Sequence, residues 1–389
     1  MDMHQTIRTF TDFYHDHGHE LLDDNTLMPP DGDDSVLFTT SGMHHLTPYL
    51  LGRTHPRGRR LTGVQRCLRT TNLDEVGDRS HLTVFEMSGS WSLGDYGSGQ
   101  SLRWGHRLLC DGYGLRPERL HVTVWGGDDQ VGPDTESLRT WQELGVPVEL
   151  TRDDNWWSNG PTGPCGPDSE IFVWTGGGQP VGTPSVNPGW VEIWNHVMMR
   201  YERLTDGSLV PLPQRSIDTG MGLERLLTVL QGTDSVYECD VFRPWQETIP
   251  TLWPLGEREH RVVVDHLRSS MVIIGDGVMP SVNGRGYVLR RLLRRVLTML
   301  WRKHGVLDDL PVDLYDDTLD HFGQHDMTPE HVRSVILDEQ QRFTTTIERG
   351  RRLLSRWPRD TVFDEDKLRF LHETHGIPRE LVAILTDDN

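Results

Sequence analysis

Lysine is almost missing from this chain. Lys303 and Lys367 are the only two, so nearly all of the 39 Lys and Arg side chains are arginine. Cysteine is scarce as well: Cys67, Cys110, Cys165 and Cys239 lie far apart, which implies neither a disulfide framework nor a CxxC metal site. No apolar run approaches the ~20 residues needed to span a bilayer. The start, Met1-Asp2-Met3-His4-Gln5, lacks the charged-then-apolar pattern of a secretory signal. These absences point to a reducing, cytoplasmic setting and no membrane partner. Acidic residues outnumber basic ones 58 to 39, a net charge of −19, which disfavours broad contact with nucleic acid. A local basic groove remains compatible with that sum, because charges are screened beyond ~8–10 Å at physiological salt.

The chain's 389 residues suffice for two or three domains with sizeable cores. Residues 1–250 read as a mixed region of short strands, glycine turns and a few helices. Val36-Leu37-Phe38, Leu120 to Trp125 and Val191 to Trp194 have strand-like composition between turn formers. Pro211-Leu212-Pro213 leads into a further strand and turn, and Leu223 to Leu230 continues as a helix. Residues 257–389 read as helical. In Leu289, Leu292, Leu293, Val296, Leu297 and Leu300 the spacing alternates between three and one, which buries one helix face. Arg290, Arg291, Arg294 and Arg295 fall on its other sides. A second helix covers His331 to Leu354, with Val332, Val335, Ile336, Phe343 and Ile347 inward, until Pro358 breaks the chain.

The run Ile217-Asp218-Thr219-Gly220-Met221-Gly222-Leu223-Glu224-Arg225 places a carboxylate, two small residues and a fixed cation close together. Glycine lets backbone lie flat against a ligand, and arginine offers a planar fork for stacking or phosphate contact. Three stretches share this character: Cys67-Leu68-Arg69-Thr70, Thr83 to Met87, and Thr162 to Ile171. One such motif is weak, but four in order are strong. With Asp154-Asn155-Trp156-Trp157, Glu192-Ile193-Trp194-Asn195, Gly284 to Arg291 and His375-Gly376-Ile377-Pro378, they make the chain resemble the aminoacylation core of the alanyl-tRNA synthetases, of class II. The resemblance implies an α+β fold: a class II antiparallel sheet flanked by helices over 1–250, then over 257–389 a helical domain similar to the family's tRNA-recognition domain, cut short. It also implies that the family's editing and C-terminal domains are lacking.

ATP, magnesium and L-alanine are the ligands this resemblance implies, although it names no magnesium ligand. Arg69 falls at the position that contacts the α-phosphate, where activation of a carboxylate builds charge. Phe85 and Met87 would wall the adenine slot, Arg225 would stack on its other side, and Gly220 and Gly222 would admit the nucleotide. Asp218 would bind the ammonium of alanine, Asn195 its polar end, and Trp157 would limit side-chain size. The cluster His15-Asp16-His17-Gly18-His19-Glu20 has metal-ligand residue types, but only Gly18-His19 matches the family, so zinc is the weaker reading. Cys165 reads as a packed turn cysteine.

The chain departs from the family at Ser80-His81-Leu82-Thr83, at Gly97-Ser98 and at Val282-Asn283, each on the side where the end of a tRNA would arrive. These departures favour transfer of alanine to a non-tRNA acceptor, a small-molecule amine or a carrier protein. Charging of tRNA is the alternative, supported by Arg285, Arg290, Arg291 and Arg294 as phosphate contacts. A third reading, a non-catalytic regulator, is opposed by the presence of Arg69, Asp218 and Arg225.

Overall fold

The computed structural model describes the chain except residues 24, 31, 33–35, 72, 304, 359, 360, 376, 378, 380, 383, 384 and 386–389. Gly376 and Pro378 of the motif near the C-terminus therefore lie outside the described residues. The rest forms two compact units, Met1–Thr71 with Val84–Arg243, and Asn72–Thr83 with Pro244–Asn389.

The first unit is built on one sheet. Its strands are β1 (Glu20–Leu22), β2 (Arg60–Leu68), β3 (Val84–Ser92), β4 (Leu120–Trp125), β5 (Val148–Thr151), β6 (Trp156–Ser158), β7 (Gly163–Trp174), β8 (Trp190–Arg203) and β9 (Leu209–Gly222). Their order is β1-β2-β3-β9-β8-β7-β4-β5, with β6 added on β7. The interior pairs are antiparallel, as expected, whereas the two edges, β1 on β2 and β4 on β5, run parallel. The turn between β8 and β9 carries an Asp-Gly pair: Asp206 accepts from the Ser208 N–H and Gly207 takes φ 83°, a conformation that favours glycine. Pro211-Leu212-Pro213 lies inside β9 rather than ahead of it. Val36-Leu37-Phe38 forms no strand; Leu37 is exposed, so its β-type composition is not matched by burial on a sheet.

Helices α1 (Met3–Asp16), α2 (Thr47–Leu50), α3 (Ser98–Arg107), α4 (Thr135–Leu144) and α5 (Leu223–Gln231) complete this unit. Asp2 caps α1 by accepting from the Gln5 N–H, and Asp134 caps α4. One core holds Phe10 and Tyr14 of α1, Leu102 of α3, Trp141 of α4 and Leu226 of α5 against Val122, Trp194 and Met221 of the sheet. A second joins Met43, Leu46 and Leu50 to Leu61, Trp91, Val197 and Met199. Along β8 and β9, Trp194 and Met221 alternate with Val197 and Asp218, so the cores take opposite faces of the sheet.

The second unit contains α6 (Arg243–Leu252), which starts on the last residue of the first unit, then α7 (Glu257–Gly275), α8 (Gly284–Trp301), α9 (Val312–His321), α10 (Pro329–Leu354) and α11 (Glu365–His375). All six apolar residues picked out by spacing in α8 are buried, as are the five in α10. Thr328 caps α10, with Pro329 at its first position. Residues 73–83 are held to α7 and α8 by polar contacts: Thr83 donates its backbone N–H to Asp265 Oδ1 at 2.8 Å, and Arg295 donates to the Leu73 carbonyl at 2.6 Å. No helix among the described residues is long and apolar enough to cross a membrane.

Candidate active site

Register on the second-core face of the sheet brings the polar residues of the first unit into two adjacent rows. In one, Leu61, Trp91, Asp218, Val197 and Asp168 lie opposite one another across β2, β3, β9, β8 and β7. In the next, Gly63, Gly89, Gly220, Asn195, Glu170 and Thr123 do the same across β2, β3, β9, β8, β7 and β4. Opposed residues of antiparallel strands share a face, as do residues two apart on a strand. Asp168, Glu170, Asn195 and Asp218 therefore point to one side.

The glycines make room for neighbouring side chains. A Cβ on Gly89 would collide with the Trp91 indole, and one on Gly220 would lie 2.6 Å from the Met87 sulfur. The space over Gly220, expected to admit a nucleotide, is thus covered by Met87, whereas Gly222 has only ordinary contact with Arg225.

Asp218 is buried and accepts the Trp91 indole N–H at 2.7 Å. Burial pushes its carboxyl up to about 7 against the pull of that hydrogen bond. Asp168 is buried too and pushed up by that burial to about 7, against the pull of the hydrogen bond it accepts from Asn155. The Asn155 amide is 2.8 Å from Asp168 Oδ1 and 2.9 Å from the Thr123 hydroxyl. Glu170 is raised by burial and by the nearby Glu192 and Asp168. Among the described residues, no ion pair reaches Asp168, Glu170 or Asp218. Asn195 Oδ1 is a buried acceptor with no donor. This face presents unneutralised carboxyls and an unused carbonyl, a surface suited to a small cation.

Arg69 follows β2 and is exposed. Its Nε donates to the Thr40 carbonyl at 3.0 Å, and its guanidinium carbon sits 5.1 Å from the centre of the half-buried Phe85 ring. Arg225, in the first turn of α5, pairs with Glu192 at 2.7 Å. Trp157 lies opposite Gly166 on β7 and packs against the core that contains Trp91 and Val197. A Cβ on Gly166 would overlap the Met198 carbonyl oxygen, which explains glycine there. Arg69, Phe85, Met87, Trp157, Asn195, Asp218, Gly220, Gly222 and Arg225 all belong to the first unit.

The remaining candidates belong to α8 in the second unit. Arg290 and Arg294 donate through Nε to Glu339 Oε1 of α10, at 3.0 and 2.8 Å, and Glu339 is fully buried. Part of their hydrogen-bonding capacity is spent inside the unit. Arg285 lies in the first turn of α8 and is half-buried, and Arg291 is exposed.

Sequence reasoning assigns Asp168 and Glu170 no role. Their signal is two acids two residues apart, a spacing that puts both on one face once the stretch is a strand. Cys165 sits in β7 and not in a turn. His19 uses both ring nitrogens, one on the Tyr14 carbonyl and one on the Tyr96 hydroxyl, each at 3.0 Å.

The family described as tRNA synthetases class II (A) matches residues 6–389. An alanine–tRNA ligase of Rubrobacter xylanophilus is 38% identical over 96% of this chain and 46% of its own length. One of Treponema pallidum is 38% identical over 97% of this chain and 67% of its own. One of Borrelia hermsii is 35% identical over 100% of this chain and 70% of its own. This chain thus spans between about half and two thirds of these relatives and corresponds to their catalytic core. The matched family and the relatives agree, and the chain belongs to the class II tRNA synthetases, in the alanyl-tRNA synthetase family.

Proposed function

We propose that this chain activates L-alanine with ATP as alanyl-adenylate and transfers the alanyl group to tRNA. The observation that carries the first half is the pairing of Asp218 with the unpartnered Asn195 Oδ1 on one sheet face, beside an apolar wall that includes Val197 and Trp157. Two acceptors in a buried setting suit a primary ammonium, and the wall suits a methyl group. An alanine carboxylate oxygen attacks the α-phosphorus, forming one P–O bond as the bond to pyrophosphate breaks. Arg69 meets the charge that grows on the phosphoryl oxygens. Phe85 offers a face for the adenine. Arg225 would have to exchange Glu192 for the ring to stack on its far side. A hydroxyl of the tRNA then attacks the alanyl carbonyl carbon and AMP leaves.

Magnesium, when bound, would draw charge from the phosphates. Glu170 fits as a ligand, because burial and neighbouring acids disfavour its charged form until a cation arrives. The tRNA half rests on the relatives, matched over nearly the whole chain and named as tRNA ligases. They favour tRNA over the small amine or carrier protein suggested by the departures near Ser80, Gly97 and Val282.

The test is alanine-dependent pyrophosphate exchange alongside transfer of labelled alanine to total tRNA. Both are expected. Exchange without charging would overturn the tRNA assignment, and no exchange by folded protein would overturn adenylation.

A further inference from the structure

A long, exposed side chain can serve a reacting phosphate only if its direction is set in advance. For Arg69 the Phe85 ring gives a contact without direction, whereas the Nε bond to the Thr40 carbonyl is directional. With Nε spent on Thr40, the two Nη groups would meet the phosphoryl oxygens. Thr40 lies in an irregular segment rather than a strand, so its carbonyl needs other anchors. His44 supplies them on both sides. The peptide group before, Thr39–Thr40, donates its N–H to His44 Nδ1 at 3.2 Å, and its carbonyl accepts the Leu68 N–H at 2.8 Å. The peptide group after, Ser41–Gly42, accepts the His44 backbone N–H through its carbonyl at 3.3 Å. His44 itself is buried. A backbone N–H can only donate, so Nδ1 is the accepting nitrogen and the ring proton sits on Nε2.

We infer that His44 is a positioning residue for adenylation: by gripping the peptide groups on both sides of the Thr40 carbonyl, it sets the direction of the Arg69 guanidinium. The inference rests on the adenylation reading and adds to it a residue that acts through Arg69 rather than on a substrate. Without the side-chain bond, the Thr39–Thr40 peptide group can rotate and the Thr40 carbonyl swings with it. Arg69 then spends part of its time in rotamers that miss the phosphate.

His44→Leu removes the acceptor and keeps an apolar bulk, whereas His44→Asn keeps an acceptor, because its Oδ1 stands where Nδ1 does. At saturating ATP and alanine, the kcat of pyrophosphate exchange should fall about tenfold in His44→Leu, the scale of one lost hydrogen bond. His44→Asn should restore it to within about threefold. The KM for alanine should not change. In an Arg69→Ala background His44→Leu should cause no further loss, since no guanidinium is left to direct. Should His44→Leu not fold, His44→Gln, whose acceptor stands one bond further out, takes its place. A purely structural role predicts equal losses in the Leu and Asn variants, in step with a lower melting temperature, and losses that multiply with Arg69→Ala; either result overturns the inference. Failure of all three substitutions to fold overturns it too. If the unsubstituted protein performs no exchange, the adenylation reading falls and this inference falls with it. Exchange with an unaltered kcat in His44→Leu removes the inference alone.

Discussion

Trp91 and Asp218 are tied twice, as directly opposed residues of β3 and β9 and by the indole N–H that donates to the carboxylate at 2.7 Å. The backbone pairing survives substitution and the side-chain bond does not. In Trp91→Phe, Asp218 loses a donor that favours its charged form, so its carboxyl rises further. Exchange at low alanine should fall about tenfold at neutral pH and recover as pH is raised. The check is a pH profile of kcat/KM for alanine, whose rising limb should move upward.

Stability should carry the same carboxyl with a defined sign. Asp218 is raised from 3.8 to about 7 in the folded protein. Below pH ~4 it is protonated in both states and has no effect. Between ~4 and ~7 the folded state holds a proton that the unfolded state has lost, so stability falls as pH rises, and above ~7 the penalty is constant. Denaturant titrations of the ligand-free protein over this window should show a shallower fall for Asp218→Asn, by about 1.4 kcal/mol per pH unit for one proton.

Arg69 is exposed and its bond to the Thr40 carbonyl is a single surface contact. Arg69→Ala should leave the melting temperature within about a degree. It should lower exchange by about 10²–10³-fold, the usual cost of removing one transition-state charge partner. An unaffected rate would remove Arg69 from the chemistry.

Two glycines should respond differently to alanine. In Gly220→Ala the new Cβ meets the sulfur of Met87, a flexible side chain, whereas in Gly166→Ala it meets the Met198 backbone carbonyl. Gly220→Ala should cost about 1–3 kcal/mol, and Met87→Ala should relieve it. Gly166→Ala should cost more, and no side-chain substitution at Met198 should rescue it. Thermal denaturation of the four variants decides this.

Glu339→Ala should destabilise the helical unit by about 3–5 kcal/mol, since Arg290 and Arg294 lose a buried anion. Arg291→Ala, on an exposed position, should leave stability unchanged and lower charging without altering exchange. Losing one phosphate contact should also reduce the salt dependence of tRNA binding by about one unit of slope.

Elements with a strong period are legible in the sequence itself. The spacing in α8 and α10 names their buried residues because a helix that buries one face must repeat near 3.6. The motif residues of the first unit are legible as a set, since Arg69, Phe85, Asn195, Asp218 and Arg225 occur in short, recognisable runs. What stays hidden depends on pairing between distant strands. That Asp168 stands diagonal to Asn195, or that Met87 covers Gly220, follows from register, and register is not written in any local pattern. The parallel edges of the sheet are hidden for the same reason. Val36-Leu37-Phe38 misleads because β-type composition describes a half-buried surface, and Leu37 finds none.

Asp218, Gly220 and Gly222 are alternate residues of one uninterrupted strand. Their separations are therefore set by covalent geometry, about 6.6–6.8 Å for each step of two residues. β9 behaves as a ruler laid between the ammonium position and the end of the strand, where α5 begins. One residue inserted between Asp218 and Gly222 would not lengthen the ruler slightly; it would turn the carboxylate through to the helix-packed side of the sheet. Change along this line can come only by substitution, one graduation at a time, so a descendant taking a larger amino acid would have to widen the wall around Val197 and Trp157 and leave the distances alone.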